Sequence, residues 1–515
     1  MVEEKDVIVI GSGIGGLVAG AMLAYYDKKV IICESHSIPG GAAHSFSRQG
    51  FHFDSGPSFY CGLADPNSLN PLQKVLNILG ESIETFVYSP LGYYHFPEGS
   101  LPVYGHRTSY LEAIAKFTTQ GTKELKLFQD NLLRLYAGLK EIPPIALRAD
   151  FWLIPILLGK YGLSLLKMLP SLGDIGGSVG QIMDKWVKDP WVRRLIDLEC
   201  FLLSGLKADG TVAPEMAFMF GERSNSVIEY PIGGSSAIVN ALVRGLERWG
   251  GQLRLNTHVE QILIESGKVV GVRLRGDEVI KAPIVISNAT IWDTYTGLLR
   301  PEDLPSSFRE PALATPAVES FMHLHLGIRS DGLEGLSGHH VVVLDGDIDI
   351  AVPGNTCMIS IPSVWDSSLA PSGHHVVHAY TLESFSGWQK DESYPQRKRE
   401  KAESLFLALE RVIPDIRQRI TLELIGTPLT HARFLRRYQG TYGPAIVAGK
   451  GSFPGPQTPI PGLYRVGDST MPGIGVPAVA ASGVICANTL VSFNYLKLLG
   501  LSLIHISEPT RHHVI

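Results

Sequence analysis

Two glycine-rich stretches near opposite ends of the chain carry the residues that can do chemistry. Near the start, Gly11-Ser12-Gly13-Ile14-Gly15-Gly16 has glycines at the spacing G-x-G-x-x-G. The first glycine permits a tight turn, the second lets backbone approach a pyrophosphate, and the third lets a helix pack on a strand. Glu34 lies 18 residues past Gly16, followed by Ser35. Its carboxylate can accept hydrogen bonds from a ribose diol and would repel a 2′-phosphate, which argues against NADP. Near the other end, Gly467-Asp468 leads through a glycine-rich turn to Gly475-Val476-Pro477. Asp468 at a strand end, with a helix N-terminus just beyond, can hold a ribityl hydroxyl and the phosphate side of a flavin dinucleotide. NAD has no use for this remote second element. The expected cofactor is FAD.

These residues need a frame, and the sequence supplies one. Asp6–Ile10 is a short β-branched apolar run, as a fully buried parallel strand requires. Leu17 to Tyr26 reads as a helix and Val30–Cys33 as a second buried strand ending at Glu34. Gly40-Gly41-Ala42 then lets the backbone pass close to the same pyrophosphate from its other side, and Gly56-Pro57-Ser58 turns the chain after an alternating strand. Tyr230–Ser236 opens a helix from Ala237 to Trp249. Gln252–Leu255, His258–Ser266, Val269–Arg275 and Val279–Lys281 read as a β-meander, followed by a strand at Ala282–Ser287. From Ser469 to Leu496 there is no charged residue. The helix from about Ala478 is nonetheless rich in small residues and reads as tightly packed and buried, not as a membrane span.

Between these pieces, Tyr110 to about Arg223 is dominated by helical periodicity. Within it, Phe151–Leu158 and the following Lys160, Tyr161, Leu163, Leu165, Leu166, Lys167, Met168 and Leu169 suit a helix lying in a lipid interface or one internal to the domain. Pro155 and the two lysines make it too interrupted to span a bilayer. His323 and His325 share one face of a strand, and His339-His340 and His374-His375 are paired, but no third and fourth ligand stand at a recognisable spacing. No metal is expected; satisfied or rim histidines are. Val341–Leu344, Cys357–Ile361, His375–Tyr380 and Thr421–Ile425 read as strands of a second sheet, and Arg399–Val412 as a charged surface helix. Thr427–Thr430 caps a short helix that carries Arg433, Arg436 and Arg437.

Composition limits the partners. The 515 residues carry a net charge of −5 with 18% charged residues, so nothing suggests nucleic acid, and 45% hydrophobic residues suit an apolar interior or substrate. Five scattered cysteines form no CxxC and indicate a reducing compartment. The first strand begins six residues in, leaving no room for a leader, so either the protein works where it is made or a leader is missing. Leu501–Arg511 reads as a translated sequencing adapter, and residues 501–515 are given no function.

The layout of the first glycines, Glu34, Gly40-Gly41 and Gly56 resembles flavoproteins with two dinucleotide-binding domains, the amine oxidase and phytoene desaturase class. There the Gly-Gly segment commonly continues with Arg; here Ala42 stands in that place, so backbone and helix must carry the phosphate charge. GGAAHSF, FDSGPS, ALVRGLERWGG, MHLHLGI, GTPLTHARFLRR and GDSTMPGIGVPAVAASG, in this order, are similar to carotenoid isomerase-like proteins of plants and algae. The resemblance covers about Val7 to Val491. It implies an α/β fold: a Rossmann-like FAD-binding domain made of residues 1–85, 225–295 and 455–495, with an α+β substrate domain of residues 86–224 and 296–454. It places the backbone of Val259 on the adenine and Asn288 beside the cofactor. The activity it implies is cis-trans isomerisation of an apolar polyene by reduced FAD, with the membrane surface as a partner and the redox partner unknown. The implied location is peripheral or soluble, in a plastid or a bacterial cytoplasm. Desaturation, retinol-type saturation and an amine oxidase remain open, as does prenyl-protein binding of the GDP-dissociation-inhibitor kind. No residue is assigned as catalytic; Tyr442 and His44 are nearby.

Overall fold

The computed structural model describes residues 3–56, 58–140, 146–151, 153–154 and 176–492. A five-stranded parallel sheet is ordered Gln252–Arg254, Val30–Cys33, Val7–Ile10, Ile284–Ser287, Leu463–Arg465. The strands at Val7 and Val30 are buried on both faces, which is why they read as unbroken apolar runs. Their period of two sorts them. Val7, Val9, Val30 and Ile32 pack against the helices Ile14–Tyr25, Ser235–Arg248 and Val476–Leu490. Ile8, Ile10, Ile31 and Cys33 pack against a smaller sheet of Glu3–Glu4, Val279–Lys281, Lys268–Leu274 and Val259–Glu265. The expected meander is thus present with one change. Gln252–Arg254 leaves it and extends the parallel sheet, with Leu253 opposite Ile32.

A seven-stranded mixed sheet runs Ile420–Gly426, Ser320–Arg329, His374–Glu383, Thr356–Ser360, His339–Val343, Gly92–Phe96, Gly99–Val103. Met322, Leu324, Leu326 and Ile328 turn to one face, under the helix Tyr394–Val412. Phe321, His323 and His325 therefore point the other way, toward the parallel sheet's C-terminal ends. Helices Arg107–Ala115, Thr119–Leu139, Val179–Trp186, Pro190–Ser204 and Ala213–Asn225 form a further core with the outer strands. The expected α/β architecture with an α+β portion is what the chain adopts. Trp152 and residues 155–175, which hold most of the expected interfacial helix, and residues 501–515 lie outside the described residues. Among those described, no helix is long and apolar enough to cross a membrane.

The helix Val476–Leu490 crosses the first helix at contact distance because both present small residues. A Cβ on Gly483 would lie 2.7 Å from the Gly15 carbonyl oxygen and 2.8 Å from Val18 Cβ. Tyr26 donates from its hydroxyl to Asn488 Oδ1 at 2.8 Å, tying the far ends. Overpacking here forces the two helices apart. Gly483→Ala is expected to lower the unfolding free energy by about 1–3 kcal/mol, read as a lower denaturant midpoint, and to loosen the first glycine turn.

Candidate functional site

The C-terminal ends of the parallel strands open onto a cavity of about 500 Å³. The strand Val7–Ile10 ends in Gly11, whose φ of +92° a side chain would strain. The first helix starts at Ile14 with Gly13 as its N-cap, has no side-chain cap and no acid in its first turn. Across the cavity, the helix Val476–Leu490 starts after Gly475 in the same uncapped way. Two sets of free backbone N–H groups and two positive dipole ends thus face one space.

Glu34 is buried and held on both oxygens. Ser12 donates its backbone N–H at 2.8 Å and its hydroxyl at 2.7 Å to Oε2, and the His36 N–H donates to Oε1 at 2.8 Å. Oε2 already accepts two hydrogen bonds, so the lone pair left for a diol hydroxyl is on Oε1, where the Ser35 hydroxyl stands 3.4 Å away. Gly40 and Gly41 take positive φ and run back along Gly13, where a Cβ on Gly41 would sit 3.1 Å from Gly13 Cα. Gly56 packs on the Ala42 carbonyl oxygen, 2.3 Å from where its Cβ would be.

Of the residues expected to hold the cofactor, Gly11, Gly13, Ile14, Gly15, Glu34, Ser35, Gly40, Gly41, Ala42, Gly56, Val259, Asn288, Gly467, Asp468, Gly475 and Val476 line this cavity. Four expected residues do not. Ser12 is spent on Glu34, Gly16 packs against the Gly11 carbonyl, Ser58 is buried with its hydroxyl unpaired, and Pro477 lies inside the helix's first turn. Pro57 lies outside the described residues.

Sequence reasoning missed the cations. The short helix Pro428–Leu435 ends in Arg436, a non-glycine residue in the left-handed region (φ +48°, ψ 44°). That conformation turns Arg436 and Arg437 into the cavity. Arg437 pairs with Asp468, which also receives the Ser469 hydroxyl at 3.1 Å. Arg436 makes no ion pair among the described residues. It adds a positive charge to the cavity lining, felt at His258.

The opposite end of the cavity is aromatic: Phe321, His323, His378, Tyr380, His431 and Tyr442. The strand pairing that sets His325 opposite His378 supplies the third histidine that sequence spacing could not show. Nitrogens of His323, His325 and His378 lie within 4.8 Å of one another. The rings stack, however: His325 and His378 are 4.3 Å apart with planes at 5°, and His323 Nδ1 and His378 Nε2 share a hydrogen bond of 2.9 Å. His323 and His378 spend these two nitrogens on each other, and His325 Nε2 meets the Asp54 carbonyl oxygen at 3.3 Å. His339 and His340 are elsewhere, against Tyr88 and His95 respectively. Burial pushes His325 and His431 down to about 4, and His323 and His378 well below the usual range, so the wall is uncharged at neutral pH. His44 is also lowered by burial, and burial pushes the Tyr442 hydroxyl up to about 12.

The residues present fit FAD. Three glycine backbones converge on Asn288: a Cβ on Gly13 would stand 2.6 Å from Asn288 Nδ2, one on Gly467 2.7 Å from Oδ1, and one on Gly15 3.0 Å from Gly467 Cα. Where a Cβ of Gly475 would be, nothing lies within 4 Å, and that space belongs to the cavity. A bare-backbone cradle with two uncapped helix ends suits a diphosphate, and the buried acid suits a ribose.

Comparisons with known proteins agree. Residues 14–491 match the family described as flavin containing amine oxidoreductase. The chloroplastic prolycopene isomerase of Daucus carota is 36% identical over 95% of this chain and 80% of its own length. A neurosporene-forming phytoene desaturase of Cereibacter sphaeroides is 27% identical over 94% of each. The crystal structure of an oxidoreductase from Methanosarcina mazei shares the fold at a TM-score of 0.62, with 20% identity over 93% of this chain and 98% of that one. The chain belongs to the flavin containing amine oxidoreductase family, in the branch that also holds the plant prolycopene isomerases, and its cofactor is FAD.

Proposed function

We propose that the protein is an FAD-dependent carotenoid cis-trans isomerase acting on an apolar polyene. The observation that carries this reading is the two-ended cavity: a polar glycine cradle opens directly onto an uncharged aromatic wall. A hydrocarbon polyene offers no charge or hydrogen bond to read, so a site for it must be apolar and shaped by rings. FAD supplies the electron-rich or electron-poor ring against which a conjugated chain can react. The chain's own residues hold it: Gly13, Gly15 and the N–H groups of both helix starts on the diphosphate, Glu34 on the ribose, Arg436 on the phosphate charge and Asp468 on the ribityl side.

We infer further that residues 1–85, 225–295 and 455–495 form one FAD-binding unit and that 86–224 and 296–454 shape the substrate. A membrane surface as the source of substrate is supported by Phe151 and Ile154, which are 68% and 62% exposed and flank the apolar stretch 155–175. A plastid location follows for a plant or algal source, given the chloroplastic relatives.

Anaerobic incubation of the FAD-loaded protein with a poly-cis carotene, followed by chromatography, tests the reaction. Interconversion of isomers with unchanged conjugation length is expected; a changed conjugation length without it would make the protein a desaturase or saturase. For the cofactor, Arg436→Ala is expected to weaken FAD binding about tenfold or more, the size of one charge-assisted hydrogen bond of about 1.5–3 kcal/mol. Titration of apoprotein with FAD reads this, and Arg436→Lys should recover part of the loss.

A further inference from the structure

At the aromatic wall lie the buried His323, His325 and His378 and the half-buried His431, and their nitrogens are not equivalent. Nε2 of His323 and Nδ1 of His378 are shut away without a partner, and the other ends of this pair are used on each other. His325 has its Nε2 3.3 Å from the Asp54 carbonyl. His431 differs. Its Nδ1 lies 2.7 Å from the carbonyl oxygen of Gly440. A carbonyl can only accept, so Nδ1 carries the hydrogen, and the neutral ring presents a bare lone pair at Nε2. Among the described residues that nitrogen has no hydrogen-bond partner, and it is not among the enclosed orphan atoms, while the residue lines the cavity.

The tautomer is fixed by backbone. Gly440 takes a φ of +60° and packs so closely that a Cβ would be 2.7 Å from Ser320 Oγ and 2.9 Å from the Pro428 carbonyl oxygen. The next residue, Thr441, donates its hydroxyl to the Val318 carbonyl, anchoring the turn. The ring itself is wedged edge-on against Phe321 and 5.3 Å from His323. Several other ionisable groups of the cavity are already held by partners or raised by burial. Glu34 is held by Ser12 and His36, Asp468 by Arg437, and the Tyr380 and Tyr442 phenols are raised by burial. His44 shares the same anchoring, with Nδ1 on the Gly41 carbonyl, but belongs to the glycine end.

We propose that His431 is a catalytic proton carrier, its Nε2 exchanging a proton with a carbon of the bound polyene; the proposal rests on the functional reading above. The step is balanced without net redox change. A proton taken from water at Nε2 passes to a polyene carbon, and the electron pair of one π bond becomes the new C–H bond. The chain is left as a delocalised cation in which the affected bond rotates as a single bond. Rotation brings the carbon's original C–H bond to the face of Nε2; that bond then breaks, its pair restores the π bond, and its proton passes to Nε2, so the delivered hydrogen stays on the carbon. Phe321, Tyr380 and Tyr442 line the same cavity, and a delocalised cation is attracted to the face of such rings. Burial, which keeps His431 neutral at rest, also makes its protonated form a stronger acid, consistent with delivery to so weak a base.

The test uses the FAD-loaded full chain, a poly-cis carotene and solvent D2O, with mass spectrometry of the isomerised product. Wild type is expected to give product carrying deuterium at a vinylic carbon. His431→Asn keeps a side-chain N–H for Gly440 but has no Nε2; isomerisation and labelling should fall about 100-fold or more. FAD content, and polyene binding read from the shift of its absorption band in the oxidised protein, should stay at wild-type levels. An isomerised wild-type product without deuterium overturns the proposal alone, and decides it even if the variant loses FAD. His431→Asn isomerising and labelling at the wild-type rate overturns it too. A wild-type protein that neither binds nor converts any polyene overturns the functional reading and this proposal with it.

Discussion

The structure depends on one crowded point. Asn288 continues the parallel pairing past its strand, its N–H donating to the Ile10 carbonyl at 2.9 Å. Its side chain fills the space between Gly13, Gly15 and Gly467. A Cβ at any of the three would strike it or a neighbouring backbone. With side chains excluded, the main chain itself becomes the wall, and both helices that begin there do so without a cap. A glycine N-cap forgoes roughly a few tenths of a kcal/mol against a capping side chain. An anionic ligand offsets this at both ends at once, so the cradle is most stable when filled. Sheet order, helix placement and the packing of Gly483 on Gly15 all serve that point.

Charge around the cradle is arranged in the same way, from pieces far apart in sequence. Glu34 is locked by Ser12, so its geometry is set before any ribose arrives. Arg437 neutralises Asp468, which keeps the flavin side of the cavity near zero net charge. Arg436 is left to meet an anion, and it reaches the cavity only by adopting a backbone conformation that costs a non-glycine residue of order 1 kcal/mol or more. Such strain persists where the surrounding structure over-determines it. Here the short arginine-bearing helix is tied to the sheet through the Gly440 turn on one side and the Asp468 pair on the other.

How much of this was legible in the sequence follows from what each signal depends on. The strands at Val7 and Val30, the glycine turn and Glu34 are local and periodic, so they could be placed to the residue. Gly467, Asp468 and Gly475 were legible because their residue types have few other uses at a strand end. Ser12 and Pro477 do not line the cavity, because adjacency in sequence does not fix which way a side chain turns. Arg436 was invisible as a site residue because a left-handed arginine has no sequence signature. The third histidine was hidden for a different reason: His325 and His378 meet only through strand register, which sequence spacing does not encode.

The histidine wall also explains why an apolar end can sit beside so polar a cradle. Leucines there would fill the space but offer no proton-transfer group; charged residues would demand solvent. Imidazoles stacked at small angles are large, flat and neutral when desolvated. They pack like aromatic residues and still carry nitrogens. Pairing His323 with His378 satisfies one nitrogen of each at the cost of two enclosed orphans, a penalty of about 1–3 kcal/mol for each group. An apolar core residue would avoid that cost. Its retention next to His431 is what a site would show if the uncharged state of the wall, and the direction of each imidazole proton, mattered more than maximal stability.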